Sequence, residues 1–311
     1  MVVSIVIVSY NTCRILDECI ASIKRETAVS YEVIVVDNAS HDGSCGMLKQ
    51  KYPEVTLIEN NDNAGFARAN NQGFAAARGK YFFMLNSDTV ILDGAIDKLA
   101  DFMEKDSDAG ICAPRNVGRS GEVQYSCDHF PGLWNTLCVY SNLVNRFPKV
   151  KMFRRSRMQY WDYCAVRDVE RVSGCSLMIR SELFRRLGGL DSNYFMYFEE
   201  TDLCYRVIRE GWRVVYLPDP AIIHYGGESS VSQTGRRVIN RTIYSYYLCS
   251  QYYFYRKNYG YFSMAAIRGL DAAYGMALLA RNAFRKDRPK REHGLAKGRA
   301  LCASALGFQR G

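Results

Sequence analysis

The chain has 311 residues, 48% hydrophobic and 23% charged, with a formal net charge of +9, which is enough apolar material for one large domain or two ordinary ones. That balance excludes a disordered or low-complexity chain, and 11 cysteines without a C-x-x-C pair or Cys/His ligand spacing exclude a zinc or dithiol redox site. Several of those cysteines, Cys112 and Cys175 among them, sit in apolar runs as buried thiols do, which fits a reducing cytosol.

The opening run, residues 2–8, is rich in Val and Ile and ends in Ser9-Tyr10-Asn11; it reads as a first strand because it lacks a basic n-region and a small-residue cleavage site. Ile15, Leu16, Cys19, Ile20 and Ile23 follow at helical spacing. Residues 32–36 make a second buried strand closed by Asp37, and residues 55–58 a third. The stretch 63–73, N-A-G-F-A-R-A-N-N-Q-G, leads into a helix of small residues ended by Gly79. Residues 81–85, Y-F-F-M-L, then form a fourth strand that stops at Asn86-Ser87-Asp88. Strands alternating with helices in this way build a parallel sheet through right-handed crossovers, and the first polar residue after each strand reaches one edge. Neither G-x-G-x-x-G after the first strand nor G-x-x-x-x-G-K-[ST] is present, which argues against a dinucleotide enzyme and a P-loop nucleotidase.

A helix over 95–103 and a strand over 110–113 complete this half, whereas the turn-rich, basic region 115–167, with Trp134 and Trp161, resists assignment. Residues 171–179 form an apolar segment whose Gly174 permits close backbone approach, and 183–187 a short helix closed by Gly188-Gly189. Next, four aromatics within residues 194–198 run into Glu199, Glu200 and Asp202 at the start of a helix that Gly211 ends. Acids there suit the helix dipole, and a carboxylate against an apolar wall suits a general base, so capping and catalysis both stay open. Residues 212–217 read as a strand, Pro218-Asp219-Pro220 as a turn, and 221–224 as a further strand ending in His224 before Gly226-Gly227-Glu228-Ser229-Ser230. His224 is either a structural histidine or a ligand, and the loop is either a phosphate cradle or a plain turn. Asp37 can accept hydrogen bonds from a nucleoside, though its position equally suits the ribose in a dehydrogenase; Asp88 either shapes a turn or holds a hard cation.

Taken together and in order, V-S-Y-N, V-V-D-N-A-S, N-A-G-F-A-R-A-N-N-Q-G, L-N-S-D-T, V-S-G-C-S-L-M-I-R, G-G-L-D, F-M-Y-F-E-E-T-D-L-C-Y-R, G-W and H-Y-G-G-E-S-S resemble family 2 glycosyltransferases of the GT-A fold. The likeness covers residues 1 to about 240 and is greatest to bacterial transferases that build O-antigen and other surface polysaccharides, rhamnosyltransferases with a thymidine-diphosphate donor among them. It implies a Rossmann-like α/β domain with a mostly parallel sheet flanked by helices over 1–240, divided into a nucleotide-sugar half (1–114) and an acceptor and base half (115–240). By the same resemblance, Ser9, Tyr10, Asn11 and Asp37 hold the nucleoside. Asn63, Gly65, Phe66, Asn70, Asn71, Asn86 and Ser87 line the donor pocket. Asp88 binds Mg²⁺ or Mn²⁺ with His224 as a further ligand. Glu200 is the base, with Glu199 and Asp202 as alternates. One departure is Asn86, which stands where the first Asp of a D-x-D metal motif is found. The implied reaction is an inverting transfer from a nucleoside-diphosphate sugar, dTDP-rhamnose or alternatively a UDP-sugar, to a glycan acceptor on polyprenyl diphosphate. A non-catalytic nucleotide-sugar-binding protein of the same fold is the rival.

Residues 241–311 read as a helical, aromatic and basic extension. Its segment 262–284 is apolar but interrupted by Arg268, Asp271 and Arg281, a pattern suited to lying in a membrane interface rather than crossing it. Positions 281–299 carry eight basic residues against Asp287 and Glu292, and positions 146–157 carry six without an acid. The expected partner is therefore an anionic membrane surface on the cytosolic face; the basic residues show no nucleic-acid-reading motif.

Overall fold

The structure is a computed structural model that describes residues 1–147, 150–153, 158, 160–226 and 241–307. Two compact units divide the chain, one of Met1–Phe130, Arg155–Phe195 and Glu199–Ser229, the other of Pro131–Arg154, Met196–Phe198 and Ser230–Gly311.

The first unit begins β1 (Val3–Ser9), α1 (Cys13–Glu26), β2 (Tyr31–Asp37), α2 (Ser44–Lys51), β3 (Thr56–Glu59), α3 (Phe66–Ala76) and β4 (Tyr81–Asn86). It continues with β5 (Thr89–Ile91), α4 (Ala95–Lys105), β6 (Ala109–Val117) and the two-residue strands β7 (Val123–Gln124) and β8 (Cys127–Asp128). In the second unit lie the short helices α5 (Leu133–Tyr140) and α6 (Leu143–Arg146). The chain then adds β9 (Arg167–Asp168), β10 (Arg171–Val172), β11 (Ser176–Arg180), α7 (Ser181–Arg186), α8 (Glu199–Arg209) and β12 (Arg213–His224) to the first unit, and α9 (Arg241–Tyr259), α10 (Tyr261–Ala283) and α11 (Arg288–Ala305) to the second.

The main sheet runs β3-β2-β1-β4-β11-β6-β12-β5. Its β1, β2, β3 and β4 are parallel, as is the β6 and β12 pair, while β11 runs antiparallel between β4 and β6. Alternate side chains reach opposite faces because the strand period is two. Ile5, Ile7, Phe83 and Leu85 join Leu16, Ile20, Leu99 and Met103 in one apolar layer, and Val6, Phe82 and Met84 join Ala69, Phe184, Leu203 and Val207 in the other. Parallel register carries Ser9 opposite Asp37 and Val8 opposite Asn86, so the polar residues that follow β1, β2 and β4 emerge along one edge.

The expected turn at Pro218-Asp219-Pro220 is not a break between strands. Residues 213–224 form the single strand β12, whose pairing with β6 shifts register between Tyr216 and Ala221. Two prolines remove ladder N–H groups without forcing the chain out of an extended path, so the cost appears as an irregularity. Within the second unit the Tyr-rich α9 packs rather than projects: the Tyr252 hydroxyl donates to Asp271 Oδ2 at 2.8 Å, and Phe254 is fully buried.

Gly73 tests the fit of α3 on β1. A Cβ there would stand 2.4 Å from Val6 Cγ1 and 3.3 Å from Val36 Cγ2, both on rigid buried strands. Ala gains about 1 kcal/mol of helix propensity over Gly, and overpacking costs about 1–3 kcal/mol, so the clash decides the sign. Gly73→Ala is expected to lower the urea midpoint of the folded chain; an unchanged or higher midpoint would show that α3 can move away from the sheet.

Candidate active site

The loop after β1 and the loop after β2 are tied together by Asn11, whose amide donates to Ser40 Oγ and whose Oδ1 accepts from the His41 amide, each at 2.8 Å. Asn11 takes a positive φ of 54°, a conformation Asn tolerates better than most residues. Next to it Tyr10 is exposed, while Ser9 is buried and shares a hydrogen bond of 3.1 Å with Thr12. Asp37 Oδ2 accepts from the Ser40 amide at 2.8 Å, yet the buried Oδ1 has no hydrogen-bond partner among the described residues. A buried acceptor without a donor costs about 1–3 kcal/mol, so this oxygen is one that a ligand donor would satisfy.

Asn63 turns inward to accept from the Gly65 amide at 3.0 Å and from Asn38 Nδ2 at 3.2 Å. Gly65 has φ +80°, and a Cβ on it would meet the Phe195 carbonyl at 2.5 Å, so only glycine fits there. The Phe66 amide donates to the same carbonyl at 2.9 Å. Asn70 is buried and donates to the Phe66 carbonyl at 3.0 Å. Asn71 has a different place: its amide clamps Leu190 on both sides, donating to the carbonyl at 2.7 Å and accepting from the N–H at 2.9 Å.

At the end of β4 the Asn86 amide donates to the Cys175 carbonyl at 2.8 Å, and Ser87 and Asp88 are buried. Register between β5 and β12 sets His224 opposite Thr89, which brings His224 Nε2 to 3.4 Å from Asp88 Oδ1. Gln124 on β7 decides what that nitrogen presents. Its Nε2 donates to the His224 carbonyl at 2.7 Å, which leaves Oε1 facing His224 Nδ1 at 3.0 Å. The reverse amide orientation would set two oxygens against each other. Nδ1 therefore carries the hydrogen, and in the neutral imidazole the Nε2 lone pair points at a carboxylate. Two electron-rich groups so placed suit a cation between them, and an outer hydrogen bond of this kind is what orients a metal-binding histidine. Among the described residues no cluster of three or more His, Cys, Asp or Glu exists, so Asp88 and His224 are the two side chains here that could hold a cation.

The acidic cluster opens α8. Glu199 is buried, and its Oε2 has no hydrogen-bond partner among the described residues. Burial first, and the charge of Glu200 second, push its carboxyl well above the ordinary range. Glu200 has the compensation that Glu199 lacks: Oε1 lies 3.3 Å from Arg171 Nη1 and 3.1 Å from Thr201 Oγ1. Arg171 is itself held by Asp128 at 2.8 Å. A Cβ on Gly174 would lie 3.3 Å from Glu200 Cβ, so the turn between β10 and β11 passes directly against this side chain. Asp202 is fully buried against Arg206 Nε at 2.8 Å, and Arg206 continues to the carbonyls of Leu187 and Gly189. Asp202 is thus engaged in closing the loop before α8.

The glycosyl transferase family 2 model matches residues 4–181, more than half of the chain. The chain belongs to that family. It is similar to the N-acetylglucosaminyl-diphospho-decaprenol L-rhamnosyltransferase of Mycobacterium tuberculosis, 28% identical over an alignment of 242 residues, with 74% of this chain and 78% of that one covered. It is also similar to the rhamnosyltransferase WbbL of Escherichia coli K12, 27% identical over 206 residues, 63% of this chain and 73% of the relative. Among solved structures, the mannosyltransferase PcManGT from Pyrobaculum calidifontis in complex with GDP-Man and Mn²⁺ overlays 98% of this chain and 86% of its own with a TM-score of 0.58 at 17% identity. GalNAc-T7 with UDP, GalNAc and Mn²⁺ covers 72% of this chain and 44% of its own with a TM-score of 0.54 at 18% identity. The fold is therefore GT-A, and the chain is a glycosyltransferase.

In this family 2 glycosyltransferase, one turn joins the two ends of the site: Cys175 holds the Asn86 amide while Gly174 adjoins Glu200. Gln124, Asn38 and Arg171 carry no local sequence signal for these roles. Gln124 sits on a two-residue strand in the unassigned stretch, and Arg171 reads only as the start of an apolar run. Asp202 had one readable mark, the i,i+4 spacing to Arg206. Of the glycine-rich loop after His224, only Gly226 lies among the described residues.

The upward shift at Glu199 has a sign. Folding raises its pKa, so the folded chain binds more protons than the unfolded one once pH exceeds the ordinary carboxyl value of 4.5, and stability falls as pH rises from there. Glu199→Gln is expected to flatten that decline, with the variant gaining stability over the parent between pH 4.5 and neutrality in urea titrations. Parallel pH profiles would show that Glu199 finds compensation in solution.

Proposed function

We propose that this glycosyltransferase moves a sugar, with inversion at the anomeric carbon, from a nucleoside-diphosphate donor to a hydroxyl of a glycan on polyprenyl diphosphate, in the synthesis of a surface polysaccharide such as O-antigen. Rhamnose from dTDP-rhamnose is the leading donor, on the printed activities of the two relatives. The observation that carries the reading is the pairing of Asp88 and His224 at one end of the site with Glu200 at the other, joined through the Gly174-Cys175 turn.

The acceptor oxygen attacks the anomeric carbon, the bond from that carbon to the diphosphate breaks, and the acceptor's proton passes to Glu200. Arg171 and Thr201 hold Glu200 Oε1, which leaves Oε2 as the oxygen to take that proton. Ser9, Tyr10, Asn11 and Asp37 receive the nucleoside, with Asp37 Oδ1 as the acceptor that needs a donor. Asn63, Gly65, Phe66, Asn70, Asn86 and Ser87 shape the sugar pocket, and Asn71 supports it by fixing Leu190. Asp88 and His224 would hold Mg²⁺ or Mn²⁺, which supplies charge neutralisation for the departing diphosphate. Because the acceptor is lipid-linked, the enzyme works on the cytosolic face of the membrane, bound peripherally to anionic lipid.

Nucleoside-diphosphate release from a panel of sugar donors, with and without Mn²⁺, tests the chemistry. One donor is expected to turn over with metal, and Glu200→Gln and Asp88→Ala each to lose at least about 100-fold, within the usual worth of a positioned base. Tight donor binding without turnover, even with lipid-linked acceptor supplied, would favour a nucleotide-sugar-binding protein, and release from a UDP-sugar alone would replace the rhamnose donor. Full activity in Glu200→Gln would remove Glu200 as base.

Gln124 gives a separate check by calorimetric Mn²⁺ titration in the presence of nucleoside diphosphate. Gln124→Ala is expected to weaken Mn²⁺ about 10- to 100-fold, as loss of an outer-shell partner does. Unchanged affinity would mean that His224 needs no such support.

A further inference from the structure

The helix α10 is 23 residues long, which gives it a length of about 34 Å. Along that whole length one face is exposed among the described residues. Phe262, Ala266, Gly269, Ala273, Met276 and Ala280 recur at helical spacing and are all exposed, and Phe284 continues the stripe beyond the last turn. Phe262 and Phe284 bracket it, 95% and 93% exposed. A large aromatic ring left in water at each end of an uncharged stripe is what a surface with a partner presents, because single scattered apolar residues rarely align in this way.

Charge selects the partner. The one acid in α10 is Asp271, and it is fully buried with Tyr140 donating to Oδ1 at 2.6 Å and Tyr252 to Oδ2 at 2.8 Å. The exposed face therefore has no negative charge. Basic groups stand at both ends. Arg256 and Lys257 are exposed just before α10, with the Arg256 guanidinium over the Tyr261 ring at 5.1 Å, and Arg281 and Lys286 are exposed at its far end. Two copies of the chain paired along α10 would bring like charges together, whether the helices ran parallel or antiparallel. An anionic lipid surface instead satisfies the apolar stripe and both basic ends at once. Among the described residues no helix is long and apolar enough to cross a membrane, so the geometry fits a helix lying in the surface.

We infer that the exposed face of α10 is the membrane-docking surface of this enzyme, with Phe262 and Phe284 entering the headgroup and acyl boundary and the flanking Arg and Lys side chains meeting anionic headgroups. The inference rests on the lipid-linked acceptor proposed above and names the surface that reaches that lipid. It also predicts an axis: α10 lies parallel to the bilayer plane, since both its ends carry the same kind of anchor.

The 311-residue chain, its Phe262→Asp and Phe284→Asp double variant, and an Arg281→Glu, Lys286→Glu variant would be sedimented with vesicles of phosphatidylcholine alone and of equal parts phosphatidylcholine and phosphatidylglycerol. Binding is expected only to the anionic vesicles, with a loss of at least about tenfold in each variant, in keeping with two buried rings or two lipid-facing charges. Circular dichroism and nucleoside-diphosphate release with a water-soluble acceptor should match the parent, which separates a failure of docking from a failure of folding or of the transferase reading. Equal binding of parent and variants, or no preference for anionic vesicles, would overturn the inference. So would a concentration-dependent dimer that the Phe variants abolish, since the face would then belong to a second copy.

Discussion

The hydrogen bond from the Asn86 amide to the Cys175 carbonyl, 2.8 Å long, is the constraint on which the rest of the site depends. The strand β4 ends there, and β11 has to run antiparallel beside it for the carbonyl to arrive. That direction brings the turn before β11 to the same sheet edge where β1, β2 and β4 release their polar residues. Gly174 in the turn then meets Glu200, so the base candidate is located by the same backbone that ends the strand before Asp88. A fully parallel sheet would have sent this turn to the opposite edge. The antiparallel insertion is thus the step that brings the Gly174-Cys175 turn, and Glu200 with it, to the edge where β4 releases Asp88.

Energetically the site is costly where the sheet is cheap. The strands bury Ile5, Ile7, Phe82 and Phe83 completely, and both apolar layers are closed by helices. Against that stand buried polar atoms without a hydrogen-bond partner among the described residues: Asp37 Oδ1, Asn70 Oδ1 and Glu199 Oε2 lie in the candidate-site segments, whereas others, such as Thr27 Oγ1 and Arg115 Nε, lie elsewhere. Each costs about 1–3 kcal/mol, so the three in the site are places where a ligand donor would recover that cost. Glu199 is distinct, since its shift comes from burial before it comes from Glu200. It is buried, and the upward push favours its neutral, protonated form beside the Glu200 carboxylate.

Much of this was legible in the chain. The first, second and fourth strands stand out because each is a short apolar run closed by Ser, Asp or Asn, and the ends of those runs located Ser9, Asp37 and Asp88. What was illegible depends on partners distant in sequence. The direction of β11 is set by which strands flank it, and the continuity of β12 was hidden by Pro218 and Pro220, whose turn chemistry is locally genuine. Gln124 emerges only because β7 pairs with β6 and thereby brings residue 124 to His224, 100 positions away. Asp202 and Glu200 look equivalent in sequence until Arg206 takes the one and Arg171 the other.

The acids of α8 are also located from upstream by a strained backbone. Tyr197 and Phe198 both take φ of 69°, a left-handed conformation that bulky residues avoid, and Glu199 follows at once. Such residues cost on the order of 1–3 kcal/mol each and persist only where their surroundings over-determine them. The surroundings here are specific: the Met196 carbonyl accepts from Ser250 Oγ at 2.8 Å, and the Phe198 ring packs against Tyr247 and Phe254 at 5.3 and 5.7 Å. Met196–Phe198 are thereby part of the unit that contains α9 and α10, whereas Phe195 and Glu199 on either side of them belong to the sheet unit. A three-residue segment covalently bonded to α8 is thus held by α9. The high Tyr and Phe content of α9 has a use beyond generic packing, because its rings pack around two residues held in a left-handed conformation.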